Sequence, residues 1–223
     1  MFNRINIRNA SLEDIQDLNV LDHKVWPSGS QTTSEMWESR IKTNPRGVII
    51  AKSRDKIIGV VVIELLMDYN FSQPKSWYDI TDNGLLKNSH HPNGKIIYGV
   101  ALTVDQEYQN KGVGTKLSMR ILRIIFEDNI SSMILGARLI NYHKYSSSMT
   151  PNEYVKKAFE GDNKLFDTEL NFYKKLGFHP KTIVPNYFHD HESLNYGVLI
   201  QWNNPFHHNI FRFPLILFFK LFY

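Results

Sequence analysis

The stretch that most constrains this chain is YQNKGVGTKL, Tyr108 to Leu117. An apolar, β-branched run, IIYGVALTV (Ile96 to Val104), precedes it, and LSMRILRIIF, with helical spacing, follows it. Two glycines and two lysines between a strand and a helix make an anion site. The first turn of a helix offers main-chain N–H groups with no helical partner and about half a positive charge. Glycine lets the backbone approach a phosphate without a Cβ in the way. Each N–H donated to a charged oxygen contributes about 1.5–3 kcal/mol, so several together form a strong anchor.

Two of the usual anions fit poorly. A dinucleotide loop has the form G-x-G-x-x-G after its first strand, whereas here Leu117 stands at the third glycine position and the strand is about the fourth. A nucleoside triphosphate loop ends in Gly-Lys-Ser/Thr after four intervening residues, and GVGTK lacks both that spacing and the lysine-hydroxyl pair. What remains is Q-x-x-G-x-G, Gln109 to Gly114, flanked by Lys111 and Lys116.

Around this turn the chain reads as one α/β domain. INIR (Ile5 to Arg8) alternates as a first strand. SLED at Ser11 caps a helix whose Leu12, Ile15, Leu18 and Leu21 share one face, and Thr32 with Glu35 reads as the capping box of a second helix that Pro45 ends. GVIIAK and IIGVVVIELLM, joined by SRDK, form a hairpin. A long, irregular insertion follows from Asp68 to Lys95, with Tyr69, Phe71, Trp77 and Tyr78 as candidates either to line a substrate mouth or to pin the loop. After the strand, glycine loop and helix (Gly114 to Glu127) come the strand SSMILGARLI, a helix capped by Thr150 and Pro151, and a helix in ELNFYKKLGF that stops at Gly177. KTIV and LNYGVLIQW end the framework as two antiparallel strands.

Bulk properties narrow the function. The hydrophobic content of 42% is that of a globular protein. The charge of +4 suits a polyanionic ligand but is not gathered into the basic stripe of a nucleic-acid binder. The absence of cysteine removes disulfides, thiolate metal sites and a cysteine nucleophile. MFNRINIRNA lacks the apolar core of a signal peptide, so a cytoplasmic location is expected. The pairs His90–His91, His189–His191 and His207–His208 lack metal-ligand spacing, and no metal is expected.

Residues 205–223 stand apart from the domain at 1–204. FRFPLILFFKLFY (Phe211 to Tyr223) is nearly all apolar or aromatic, but a spanning helix needs about 20 residues. It reads as a last strand or swapped arm covering apolar surface on this chain or on a second copy in a homodimer. The alternative is a segment lying on a membrane surface with Arg212 and Lys220 at the headgroups.

The motif Gln109–Gly114 after a strand ending LTV, with FYKKLGF at Phe172 to Phe178 and this order of elements, resembles the GNAT superfamily of acyl-coenzyme A dependent N-acyltransferases, a less-characterised bacterial branch of it. The resemblance covers about Ile5 to Trp202. It implies a mixed central sheet of about seven strands flanked by helices, with the long insertion between the third and fourth strands. It implies acetyl-coenzyme A, or another acyl-coenzyme A, as co-substrate, and a small-molecule or peptide amine as acceptor. Leu102, Thr103 and Val104 would pair with the pantetheine arm. The loop residues Gln109, Asn110, Lys111, Gly112, Val113, Gly114 and Thr115 would hold the pyrophosphate, and Tyr173 would protonate the departing thiolate. The asparagine common seven residues before that tyrosine is Phe166 here, which puts its cofactor contact in doubt.

Acyl transfer to an amine requires an amine that has lost its proton, donors for the oxyanion and a proton for the thiolate. A main-chain N–H near Leu102 is the candidate oxyanion donor. Glu64, a carboxylate within an apolar strand, is the candidate base, since burial would raise its pKa toward the working range; its alternative is an edge-strand position in solvent. Asp105 is expected to face solvent. Trp77, Arg138, Asn141 and Tyr142 are the acceptor-site candidates, with His143 and Tyr145 beside them, because strand ends commonly line ligand crevices. Ala101 and Phe166, where relatives in the family carry polar residues, keep open a non-catalytic acyl-coenzyme A sensor, and the aromatic C-terminal tail keeps open a membrane-peripheral module.

Overall fold

The computed structural model describes residues 5–161 and 166–222. Residues 1–4, 162–165 and Tyr223, the last residue of the expected C-terminal extension, lie outside the described residues. Seven strands form one sheet: β1 (Ile5–Asn9), β2 (Val48–Ser53), β3 (Lys56–Leu66), β4 (Ile96–Val104), β5 (Ser132–Arg138), β6 (His179–Val184) and β7 (Gly197–Asn203). Their order is β1-β2-β3-β4-β5-β7-β6, antiparallel throughout except between β4 and β5. The helices are α1 (Ile15–Val25), α2 (Ser34–Thr43), α3 (Trp77–Ile80), α4 (Val113–Glu127), α5 (Pro151–Glu160), α6 (Thr168–Lys175) and α7 (Arg212–Phe222).

Both faces of the sheet are covered, so β2 and β3 read as continuous apolar runs rather than alternating ones. On one face Leu18 and Leu21 of α1 and Trp37 and Ile41 of α2 pack on Val48, Ile50, Val60, Val62 and Tyr98. On the other, the stripe Val113, Leu117, Ile121, Ile124 and Ile125 seats α4 on Ile49, Ile58, Val61, Ile63 and Ile97, while α5 and α6 cover β5 and β7.

Several expected details shift. Thr33, not Thr32, caps α2, its side-chain oxygen accepting from the Met36 N–H at 3.2 Å. Thr32 serves tertiary structure: its N–H donates to Asp22 and its hydroxyl accepts from Arg40. Leu12 is exposed because it lies in a short 3₁₀ turn ahead of α1, where the angular spacing differs from that of the α-helix. The C-terminal segment is the helix α7 rather than a strand. It lies on α4 of its own chain, with Phe219 stacked 5.6 Å from Phe126. Helix suits the segment because Leu215, Ile216 and Phe219 fall on one side and meet the same cluster as α4. Among the described residues no helix is long and apolar enough to cross a membrane.

Candidate active site

The site begins as a defect in the sheet. β4 and β5 pair only from Ile96–Ser132 to Gly99–Leu135. Opposite, Val62 faces Ala101 and Ile63 faces Gly99, so Val100 is an extra residue in β4. A bulge of this kind bends its strand and increases the local twist. β4 leaves β5 at this point, and the side of Ala101–Val104 that would have met β5 has no strand partner. The Leu102 side chain is exposed, whereas Thr103 is buried and its hydroxyl accepts from Trp26 Nε1 at 2.9 Å. Trp77, through Nε1, donates to Val100 O at 3.0 Å and meets Phe188 edge-on, walling the gap on the α1 side.

The glycine loop lies past the end of β4. Asn110 and Gly112 adopt left-handed backbone (φ 58 and 79), which turns the chain so that α4 starts with its N–H groups outward. The first helical bond is Lys116 N–H to Gly112 O, and the main-chain N–H groups of residues 110–115 have no partner among the described residues. Gln109 reaches back to Val104 O. Lys111 is exposed over the Tyr108 ring at 5.4 Å.

Gly114 is informative because nothing in the protein requires it. It is not in a left-handed conformation, and a Cβ there would meet no atom within 4 Å. Glycine inside a helix costs about 1 kcal/mol relative to alanine. A glycine where the chain itself would tolerate a side chain leaves room for something outside the chain. Gly112 is open in the same way. Outward amides, absent side chains and a nearby lysine fit a diphosphate.

Asp105, expected in solvent, is buried instead. Burial would raise its carboxyl, but Lys24 and Lys56, each at 2.8 Å, outweigh it and hold it down at about 2. The pair with Lys24 ties the start of the loop to α1.

At the gap, groups converge from both faces. Tyr187, from the β6–β7 connection, places its hydroxyl 2.6 Å from that of Tyr98 on β4. It fits only because Gly136 of β5 and Gly197 of β7 carry no Cβ, which would collide with its ring. Arg138, at the end of β5, bonds Asp190 at 3.0 Å and lies over the Trp26 ring. Tyr173 of α6 is half-buried against Phe178. Burial, with Glu169 and Tyr187 nearby, raises its hydroxyl well above the usual tyrosine range despite Arg138, so it stays protonated. Burial raises the Glu169 carboxyl to about 7 against the pull of Arg138, with Asp167 and Asp190 adding to the rise.

Not every sequence candidate reaches this place. Glu64 is on the buried side, as the pKa argument required, and burial raises it to about 8. It does not face a cleft, however: it has no exposed surface, and one oxygen accepts from the Ser89 hydroxyl at 2.6 Å. Tyr142 is buried against Tyr154 and donates to Met149 O. Asn141 bonds Phe166 O and Lys144. Both have their polar groups taken by protein partners that hold the segment before α5. Phe166 itself packs between Tyr145 and Tyr154.

Trp26, Tyr98, Glu169, Tyr187 and Asp190 were not evident from sequence. Glu169 was within reach, since it stands one helical turn before Tyr173. The others depend on sheet register and on a loop returning over it.

Comparison with known proteins bears on this geometry. Residues 12–145 match the model of the acetyltransferase (GNAT) family. The chain is 31% identical over 210 residues, 92% of both chains, to "Uncharacterized N-acetyltransferase YkwB" of Bacillus subtilis. It is 32% identical to "Probable hydrolase YhcX" of the same organism, of which it spans 38%. Among solved structures, the loading GNATL domain of CurA from Lyngbya majuscula superposes with a TM-score of 0.77 at 25% identity, covering 90% of this chain and 98% of that one. The GphF GNAT-like decarboxylase, in complex with isobutyryl-CoA, superposes at 0.69 and 19%, covering 89% and 98%. The family match and the identity to YkwB together settle the classification: this chain belongs to the GNAT acetyltransferase family.

Proposed function

We propose that this protein moves an acyl group, acetyl in the simplest case, from acyl-coenzyme A to a primary amine while both are bound. The observation that carries the reading is the loop at 110–115, with unpartnered amides and two glycines open to the outside. Those amides and Lys111 would hold the pyrophosphate, and the unpaired side of Leu102–Val104 would take the pantetheine amides as a strand takes its neighbour. Bound acyl-coenzyme A supplies an activated thioester.

The chain's own residues do the rest. A main-chain N–H near Leu102 donates to the oxyanion. Tyr173, held protonated, gives its proton to the departing sulfur. Holding two reactants side by side can itself remove about 7–11 kcal/mol of the barrier, so no covalent nucleophile is needed. Arg138 and Trp77 flank the acceptor's approach.

The test is a panel of amines (amino sugars, polyamines, amino acids, peptide N-termini) incubated with acetyl-coenzyme A while free thiol is recorded. Amine-dependent release supports transfer, and release without amine indicates hydrolysis. Decarboxylation, the activity named for one solved neighbour, needs a carboxyl-bearing acyl group in place of acetyl and would release CO2 with the thioester left whole. Binding without turnover would leave a coenzyme A sensor. Tyr173→Phe should lower kcat by about 10²-fold at unchanged coenzyme A affinity.

A further inference from the structure

The helix α7 is apolar on nearly every side, yet only one side is packed. Leu215, Ile216 and Phe219 meet the cluster on α4, and Phe206 closes it edge-on to Phe126. The opposite side carries Phe213, Pro214 and Leu217, which continue a helical spacing from Ile210, and all four are exposed. Phe211, just before the helix, is exposed as well. A helix apolar all round is ordinarily a buried one. Bulky apolar residues gathered in one exposed place mark an interaction surface.

Charge indicates what covers this face. From Ser193 to Tyr223 the sequence has no Asp or Glu, while His207, His208, Arg212 and Lys220 stand along it. Arg212 donates to Phe126 O at 3.4 Å and lies 4.9 Å over the Phe213 ring, which sets a cation beside the apolar ridge. Lys95, donating to Asp128 O at 2.8 Å, and His208, bonded to Asn129, join it at the end of α4. The carboxylates there, Glu127 and Asp128, are already paired with Arg123 and Arg46. A second copy of this chain is a poor cover. In a two-fold pairing a surface meets itself, so Arg212 and Lys220 would face their own kind with no Asp or Glu of the segment between them.

We propose that α7 docks this protein reversibly on an anionic lipid surface. Ile210, Phe211, Phe213 and Leu217 enter the boundary between headgroups and acyl chains, and Arg212 and Lys220 meet lipid phosphates. The helix is about 16 Å long, so it lies along the surface rather than crossing it. Seated on α4, it presents its side, and the body of the protein takes the place of the polar face that a free interfacial helix needs.

The experiment is co-sedimentation of the full chain with two kinds of vesicle, phosphatidylcholine alone and phosphatidylcholine mixed with phosphatidylglycerol, beside light scattering of the chain without lipid. Expected are a monomer by light scattering and partitioning about tenfold or more stronger onto the anionic vesicles, falling with added salt. Phe213→Ser with Leu217→Ser should lower partitioning by about 100-fold or more. Lys220→Gln should lower it about fivefold, on anionic vesicles alone. All three side chains are exposed, so melting temperature and coenzyme A affinity should stay as in wild type. A wild type that sediments with neither vesicle, or a double variant that partitions as wild type does, overturns the proposal. Equal partitioning onto both vesicles overturns the choice of an anionic surface. A wild-type dimer that the double substitution turns into a monomer assigns the face to a second copy instead. None of these outcomes depends on acyl transfer.

Discussion

The hydroxyls of Tyr98 and Tyr187 lie 2.6 Å apart in the interior, one from the strand that parts from β5 and one from the loop between β6 and β7. Burial raises both well above the usual tyrosine range, so the contact is one neutral hydroxyl donating to another. Tyr187→Phe should cost about 1–3 kcal/mol, because Tyr98 keeps a buried hydroxyl without its partner. Gly136→Ala, which forces a methyl into the Tyr187 ring, should cost about 1–3 kcal/mol by overpacking. Urea denaturation midpoints measure both. Full stability in Gly136→Ala would mean that Tyr187 does not occupy this position.

Gly114→Ala should move stability and binding in opposite directions. No protein atom lies near the added methyl, and alanine favours the helix, so the protein should gain up to about 1 kcal/mol. The same methyl enters the space assigned to the pyrophosphate, so coenzyme A affinity should fall about tenfold or more, the equivalent of one charged hydrogen bond. Thermal melting and calorimetry on one preparation measure both, and unchanged affinity would remove the phosphate site from this loop.

Glu64 should make stability depend on pH. Its carboxyl titrates at about 8 when folded and near the ordinary 4.5 when unfolded. Between those values the folded chain holds a proton that the unfolded chain has released. Stability from this group therefore falls as pH rises through that window, at no more than about 1.4 kcal/mol per pH unit. Glu64→Gln, whose amide oxygen can still accept from Ser89, should flatten the slope of melting temperature between pH 5 and 8. A slope identical to wild type would show that the proton sits elsewhere.

Phe219→Ala should cost about 3 kcal/mol, since the ring is buried and stacked on Phe126. The loop and the gap do not involve α7, so kcat should be unchanged. Guanidinium unfolding and steady-state rates measure the two.

Much of this was legible in the chain because local rules and tertiary demands agree. Thr150, Pro151 and Glu153 announce α5 and cap it as read, and the stripe from Leu117 to Ile125 seats α4. Gly177, with φ 82, stands just past the end of α6, as read. The site was less legible, because its groups meet through register. Nothing local to Glu64 reveals that Ser89 closes over it, nor does Tyr187 show in sequence that two glycines on two strands make room for it. Thr32 and Thr33 are adjacent and both can cap; Asp22 on the preceding helix and Arg40 on α2 take the polar groups of Thr32, which leaves the cap to Thr33. In α7 the apolar composition suited strand and helix alike, and only the cluster under α4 decided.

Val100 carries a last consequence. The opening between β4 and β5 begins where β4 carries one extra residue, Val100, between the partners of Val62 and Ile63. Replacing the Val100 side chain with another apolar one should leave the cleft as it is, whereas deleting the position would let the two strands zip together to their tips. The gap is thus written in arithmetic: a chain one residue shorter should make a tidier sheet without it.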